Sequence, residues 1–176
     1  FSEHTAWAFH HVMQGMRSEI LPIGEGCVML VLEKSAAAKC AGRSVRAEML
    51  ACEIQMYPLA QQPNCGQLTE GLTSCIQTAL DSAGVSPRDV WGVSLQGCGG
   101  ELGDPETRAL TTILKDNTGV QYVGISPLVG ETYSAAGVFQ IAAALARLSH
   151  STAHDRVVLV TSFSRGGSVG CAVLRG

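Results

Sequence analysis

The chain has 176 residues, with 12 Lys plus Arg against 15 Asp plus Glu, and its formal net charge is −3. This length suits one domain or a piece of a larger one. Charged residues make up only 15%, compared with about 25% in typical soluble domains, which suggests that part of the surface is buried against other protein. The mildly acidic balance argues against a nucleic-acid partner, and apolar runs such as Cys27–Leu32 and Val157–Val160 are too short to cross a membrane.

The first third of the chain predicts a lead-in, a strand, a short helix and a second strand. Residues 1–22 have no clean period and are interpreted as an irregular or helical lead-in. The apolar run Cys27–Leu32 has the length of a buried strand. Ser35–Ala41 is rich in Ala and ends at Gly42, which predicts a short helix with a glycine stop, and Val45–Met56 predicts the next strand.

Proline, asparagine and glycine cluster in residues 58–68, which predicts a linker. After the linker, apolar residues that recur at three- and four-residue spacing predict a helix, which Thr69 is suited to cap and Gly84 to end. Val90–Leu95 then predicts a strand. The remaining predicted elements are a helix opened by Asp104 and Pro105, a strand over Gln121–Ile125, a helix over Ser134–Leu148 with Val138, Ile141, Ala142, Leu145 and Leu148 inward, and strands over Arg156–Ser162 and Ser168–Leu174. This alternation predicts an α/β fold with a largely parallel sheet covered on both faces.

Three glycine-bearing loops, over residues 96–105, 126–131 and 164–167, each follow a predicted strand. Because ligands bind at the carboxyl ends of strands in open α/β sheets, we expect these loops to share one site. Neither G-x-G-x-x-G nor a G-K-[ST] ending is present, and Asp104 at a helix cap would repel an anion. Phosphate binding at these loops is therefore disfavoured.

The loops contain few candidates for catalysis. Cys98 has the residue type of a nucleophile, but a small side chain filling a tight turn is the favoured interpretation. Gln96 and Glu131 should face the same cleft. Gln96 cannot exchange a proton, and Glu131 would need burial to act as a base, so a polar pair that satisfies backbone groups is favoured.

The histidines and cysteines give no sign of a metal site. The histidines at positions 4, 10 and 11 are metal-binding in type but lie in the least regular stretch, where a solvated helix face is favoured. The seven cysteines are scattered, odd in number and without a C-x-x-C pair, which argues against zinc and against a disulfide framework. We expect reduced thiols in a cytoplasm, no metal and no cofactor. The chain starts at Phe1 without a leader pattern and is interpreted as an excerpt or a processed half.

Five motifs occur in a familiar order. Ile23–Glu33 resembles G-E-G-A-G-V-L-V-L-E, Ala79–Asp89 resembles A-L-x-D-A-G-x-x-P-x-D, Leu102–Glu106 resembles L-G-D-P-x-E with Glu106 one place early, Ser134–Gly137 resembles G-A-A-G, and Ser162–Gly167 resembles S-F-G-F-G-G. Together they resemble the carboxyl-terminal half of a β-ketoacyl synthase, a condensing enzyme of the thiolase-like superfamily. The resemblance implies the layered αβαβα fold, with residues 23–57 ending the N-terminal half and residues 69–176 forming the C-terminal half.

The departures from the family pattern bear on activity. Counting along the motifs, Gln96 and Glu131 replace the two family histidines, Ser126 replaces the lysine, and Arg165 replaces the phenylalanine that gates the pocket. The family's nucleophilic cysteine would lie upstream of Phe1. The resemblance therefore implies no catalytic residue in this chain. The positions that it implies for lining a substrate pocket are Gln96, Cys98, Glu131, Phe163 and Arg165.

This pattern resembles the chain-length factor, a catalytically empty partner of an active ketosynthase in type II polyketide systems, and also the non-elongating ketosynthase-like domains. The resemblance implies three partners: an active ketosynthase subunit, an acyl carrier protein and the chain's own N-terminal half. Contact with an acidic carrier protein would use basic positions, although a solvated helix face accounts for them equally well. These positions are Lys34, Lys39, Arg43 and Arg46.

Two other functions stay open at this point. One is an enzyme of the same fold: an acyltransferase or condensing enzyme that uses a nucleophile upstream of residue 1, or an acyltransferase or hydrolase that has recruited Cys98 or Glu131. Its discriminator is the residue at the upstream nucleophile position. The other is a domain used only for assembly contacts, which predicts no cavity of acyl size.

Overall fold

The computed structural model describes residues 24–57, 65–97, 100–151, 155–164 and 166–176, with the backbone alone for residues 100–104 and Tyr133. The predicted lead-in, residues 1–22, lies outside the described residues. In chain order the helices and strands are α1 (Ser35–Cys40), β1 (Glu48–Met56), α2 (Cys65–Ala83), β2 (Val90–Leu95), α3 (Gly100–Ile113), β3 (Gln121–Gly124), α4 (Ser126–Val129), α5 (Ala136–Ser149), β4 (Val157–Phe163) and β5 (Ser168–Arg175). Short 3-10 turns occur at Pro87–Asp89 and Tyr133–Ala135.

The five strands form one sheet in the order β1-β5-β4-β2-β3. Strands β4, β2 and β3 pair in parallel, whereas β5 pairs antiparallel with both β4 and β1. The prediction of a largely parallel sheet is therefore wrong for half of the pairings. For β4 and β5 the reason is local: the turn between them is only four residues long, and such a short connection can join antiparallel neighbours only.

Helices cover both faces of this sheet, as predicted. On one face α2 and α3 pack their buried apolar side chains on the sheet, and on the other face α5 does the same through a smaller cluster. Strand β4 shows why its sequence is continuously apolar, because Leu159 faces the α2 and α3 side while Val158 and Val160 face α5. The predicted α/β architecture with a sheet buried on both faces is confirmed in the described residues.

The predicted strand over Cys27–Leu32 is not formed. Residues 24–34 have no regular structure, and the side chains of Met29, Val31 and Leu32 are 87%, 88% and 73% exposed. A strand needs a neighbour to bond with, and no strand of the described residues pairs with this segment. The apolar run is therefore an exposed hydrophobic segment within the described residues, of the kind that marks an interaction surface.

Several helix boundaries differ from the predictions. Helix α2 begins at Cys65 rather than Thr69, so the last four residues of the predicted linker are helical, and residues 58–64 lie outside the described residues. Helix α3 begins at Gly100, and Pro105 lies inside it instead of in its first turn. The predicted glycine stops are confirmed, since Gly42 and Gly84 follow α1 and α2 with φ of 62° and 63°.

The buried face of α5 is also rotated from the predicted one. The buried positions are Gln140, Ala144 and Leu148, of which Leu148 was predicted to point inward. Ile141, also predicted inward, is partly buried and packs against the same core cluster. Nearly every residue of this helix is apolar or small, so the apolar pattern does not distinguish one face from another. The polar Gln140 faces the sheet because its hydrogen bonds are made there, as described below.

Within the described residues no helix is both long and apolar enough to span a bilayer, and no group of three His, Cys, Asp or Glu residues is arranged to hold a metal ion. The sequence disfavours a metal site at the three N-terminal histidines, and these histidines lie outside the described residues.

The Gly24-Glu-Gly26 segment is held against the loop that follows α4. The Gly24 amide donates a hydrogen bond of 3.0 Å to the Glu131 carbonyl oxygen. A Cβ atom at position 24 would lie 1.8 Å from the carbonyl oxygen of Val129, and one at Gly26 would lie 2.5 Å from the Phe139 ring. Gly24 is therefore required for this close approach, whereas a Cβ at position 26 would require only the Phe139 side chain to shift.

Replacing Gly24 with alanine should destabilise the protein, because the clashing atom is a backbone oxygen that cannot move aside. Overpacking of this kind costs about 1–3 kcal/mol. Urea unfolding of Gly24→Ala should show that loss. The matched control is Gly119→Ala, because the nearest atom to a Cβ there is 3.9 Å away. Equal stability of the two variants would contradict the proposed contact.

Candidate functional site

Gln96, the first residue after β2, ties the end of that strand to the end of β4. Its side-chain Nε2 donates to the carbonyl oxygen of Phe163 at 2.9 Å, and its Oε1 accepts from the amide of Phe163 at 2.6 Å. Two bonds from one planar amide to one residue fix the orientation of the side chain. Gln96 therefore acts as a clamp between parallel neighbours at their carboxyl ends.

Glu106, on α3, lies directly beneath this clamp and is 1% exposed. Its Oε1 accepts from the Gln96 amide at 3.1 Å and from the Thr161 hydroxyl, and its Oε2 accepts from the Gly97 amide at 2.7 Å. Burial raises the pKa of the Glu106 carboxyl above its usual range, while the three donors act in the opposite direction with smaller effect. One carboxylate thus joins α3, β4 and the loop after β2.

Gln140 links α5 to the same strands from the opposite face. It is fully buried, and its Nε2 donates to the carbonyl oxygens of Ser94 at 3.1 Å and Thr161 at 2.7 Å. The Ser94 hydroxyl in turn donates to the carbonyl oxygen of Gln140 at 3.1 Å. Buried polar groups of this kind are kept because they are hydrogen-bonded, and here they fix the register between helix and sheet.

The structure brings some of the predicted site residues together. The Ser126 hydroxyl donates to the carbonyl oxygen of Gln96 at 3.3 Å, so the loops after β2 and β3 meet as expected. Glu131 is buried, 8% exposed, in the next loop, where its carbonyl oxygen accepts from Gly24. Cys98 and Arg165 lie outside the described residues.

Sequence reasoning did not identify the residues that bond most extensively at this edge. Glu106 entered only as a motif residue displaced by one place, and neither Thr161 nor Gln140 was singled out. The available signal for Glu106 was its position, near buried Leu110, on the inner side of a helix that is otherwise apolar there. The arrangement as a whole consists of carbonyls, amides and hydroxyls bonded to one another, except that Gln140 Oε1 is buried without a hydrogen-bond partner among the described residues. Glu106 is its fully buried titratable group.

We expect Glu106→Ala to destabilise the protein by about 3 kcal/mol, because it removes the acceptor of three hydrogen bonds, and a bond to a charged group contributes about 1.5–3 kcal/mol. Chemical denaturation is the measurement. Glu70→Ala, an exposed glutamate of α2, is the matched control and should change stability by about 0.5 kcal/mol or less. A near-neutral Glu106→Ala would show that the carboxylate does not hold this edge together.

The raised pKa of Glu106 also predicts a pH dependence. The native state holds this proton more tightly than the unfolded state, so the contribution is fully present below the ordinary glutamate pKa and is lost as the pH rises through the folded value. The free energy of unfolding of the wild type should therefore fall, relative to that of Glu106→Gln, as the pH rises through the weakly acidic range. A difference that is constant with pH would contradict the assigned direction.

Comparisons with known proteins agree with this geometry. The family "Beta-ketoacyl synthase, C-terminal domain" matches residues 52–159, which is more than half of the chain. The chain is 35% identical over 127 residues to a Streptomyces coelicolor protein named actinorhodin polyketide β-ketoacyl synthase 2, covering 71% of this chain and 30% of that protein. It is 27% identical over 138 residues to the Arabidopsis thaliana chloroplastic 3-oxoacyl-[acyl-carrier-protein] synthase I, covering 77% and 28%. The chain thus spans less than a third of the length of these curated relatives.

Solved structures show the same fold. The ishigamide ketosynthase/chain length factor superposes with a TM-score of 0.80 at 28% identity, covering 99% of this chain and 46% of that chain. A type II polyketide synthase ketosynthase, solved with its acyl carrier protein, superposes with a TM-score of 0.75 at 21% identity, covering 91% and 45%. The predicted thiolase-like α/β fold is confirmed, and the chain belongs to the β-ketoacyl synthase family, whose C-terminal domain matches residues 52–159.

Proposed function

We propose that this chain is part of a non-catalytic, chain-length-factor-type subunit that pairs with an active ketosynthase and shapes the acyl or polyketide pocket of the pair. The observation that carries the proposal is the state of Gln96. The family resemblance aligns this residue with a histidine that binds the thioester carbonyl. Here the amide has no titratable group, and both its oxygen and an N–H bond to the main chain of Phe163.

The other two aligned positions support the same interpretation. Decarboxylative condensation needs hydrogen-bond donors or positive charge directed at a developing enolate. Ser126 replaces a lysine, and its hydroxyl is bonded to the Gln96 carbonyl oxygen. Glu131 replaces a histidine with a buried carboxylic acid, whose charged form would oppose the negative charge of the enolate.

The described cysteines do not favour a recruited nucleophile. Attack on a thioester needs a thiolate, yet burial raises the pKa of Cys75 to about 11 and also raises the pKa of Cys171. Cys27, Cys40, Cys52 and Cys65 lie on the exposed surface and form no disulfide among the described residues. An acyltransferase of the same fold would therefore not use Cys75 or Cys171 as its nucleophile.

Partner pairing is supported by the exposed apolar segment Cys27–Leu32. Met29 and Val31 alternate with the half-buried Val28 and Leu30, which is the pattern of a strand with one face on protein and the other awaiting a neighbour. We propose that the N-terminal half of the same protein covers this segment and that the active ketosynthase binds the completed subunit. We expect this assembly in the cytoplasm, with reduced thiols and no cofactor.

An acyl carrier protein is the third proposed partner. Carrier proteins are acidic as a family, and Lys34, Lys39 and Arg46 are exposed around α1. Arg43 already pairs with Glu33 at 3.3 Å, so it offers less attraction to an incoming acidic surface than the other three.

In the assembled complex, Gln96→Ala and Glu131→Ala should leave turnover per folded molecule within a few fold, because neither side chain is proposed to touch the reacting atoms. Gln96→Ala should still lower stability, since it removes two hydrogen bonds at the Phe163 main chain. The measurement is condensation by the purified complex, with intact assembly verified by size exclusion. A loss of several orders of magnitude with normal assembly would show that one of the two residues is catalytic.

We expect the full-length protein to purify as a heterodimer with an active ketosynthase. Val31→Lys should weaken or abolish formation of the folded, paired subunit, because it places a charge in the apolar segment that is proposed to be covered. Leu128→Lys is the matched control, since Leu128 is an exposed apolar residue on a different element. Size exclusion with mass detection distinguishes the outcomes. A stable homodimer that condenses without any second ketosynthase would contradict the proposal.

A further inference from the structure

A cleft lies at the opposite end of the parallel strands from Gln96. Trp91 is the second residue of β2, and Arg156 immediately precedes β4, so both stand at the amino ends of their strands. The cleft has a volume of about 480 Å³, and Trp91 and Arg156 line it together with the last turn of α5 and its following residues. This volume is within the range of small-molecule sites, about 300–1,000 Å³.

Two guanidinium groups are held over one aromatic ring in this cleft. The Cζ atom of Arg156 lies 4.2 Å from the centroid of the Trp91 indole, and that of Arg147 lies 5.6 Å from it. The separation of the two cations cannot exceed the sum of these distances. His150 lines the same cleft, and no Asp or Glu of the described residues does. Within the described ranges neither arginine forms an ion pair.

A guanidinium stacked on an aromatic ring keeps its N–H edge available for an in-plane oxyanion. Two such groups close together repel each other, and a bound anion would remove that repulsion while accepting charge-assisted hydrogen bonds from both. Apart from Ser151, the rest of the lining is apolar and is formed by Val123, Ala143 and Ala146. The cleft therefore combines a cationic rim with an apolar wall.

We propose that this cleft binds a phosphate group carried on a small apolar body, with Arg147 and Arg156 binding the phosphate oxygens and the alanine face of α5 contacting the apolar part. A dianionic phosphate suits two guanidinium groups and an imidazole better than a single carboxylate does, because it presents more oxygen acceptors and more charge. The proposal is independent of the function proposed above, since the cleft shares no residue with the Gln96 and Glu106 network.

The test uses hexyl phosphate as the probe, with inorganic phosphate and hexanol as its two parts. Trp91 is one of two tryptophans in the chain, so a Trp7→Phe background makes it the reporter of fluorescence. We expect saturable binding of hexyl phosphate, weaker binding of inorganic phosphate and no saturable binding of hexanol. Arg147→Gln and Arg156→Gln should each weaken hexyl phosphate binding by about tenfold.

The matched control is Arg88→Gln, since Arg88 is an exposed arginine paired with Asp116 and distant in sequence from the cleft-lining arginines. It should leave the affinity unchanged. If Arg156→Gln does not fold, as judged by thermal melting, Arg156→Lys keeps the charge but loses the planar fork and should still bind more weakly. Equal affinity for hexyl phosphate and hexanol, equal affinity in all variants, or a response that never saturates would overturn the proposal.

Discussion

The buried carboxyl of Glu106 is the constraint on which the loop edge of this domain depends. It accepts bonds from the Gln96 and Gly97 amides and from the Thr161 hydroxyl, and so joins a helix, a strand and a loop at one point. Burying such a group without these donors would cost several kcal/mol. With them, the loop after β2 has its first two amides satisfied and Gln96 is positioned to bond Phe163.

This arrangement bears directly on function. In an active site at the carboxyl ends of parallel strands, the side chains at that edge should point at a substrate with their polar groups available. At this edge the amide of Gln96 and the hydroxyl of Ser126 are directed at the protein's own main chain. The family scaffold is retained, while these positions stabilise the loops. That combination is what a pocket-shaping partner of an enzyme requires, since such a partner must hold its shape without performing chemistry.

The central strands could be predicted from the sequence because each is a short apolar run with polar residues or glycines around it, and because these strands are buried on both faces. Val90–Leu95 matches its predicted range, and β4 and β5 match to within one residue. The segment Cys27–Leu32 failed for the opposite reason, because strand formation depends on a neighbour that a local pattern does not contain. The prediction of the inner face of α5 was wrong at most positions, because a helix of small apolar residues has no polar side. Its buried face is set by the hydrogen bonds of Gln140 to other elements.

The candidate site was predictable only in part. The positions of Gln96 and Ser126 followed from the loops after strands, and the structure does place them in contact. The role of Glu106 did not, since its three donors come from residues 9, 10 and 55 positions away along the chain. Bonds between such separate elements depend on which strands and helices are neighbours, and the sequence pattern did not predict that order.

Amide hydrogen exchange of the full-length protein tests the central claim, that the Glu106 and Gln96 network locks the ends of β2 and β4. The amides of Gln96, Gly97 and Phe163 are each bonded to a side chain of this network. The account predicts that they exchange as slowly as the central amides of β2 and β4, even though they lie at strand ends where fraying is expected. Fast exchange at these three amides, with the strand centres protected, would contradict it.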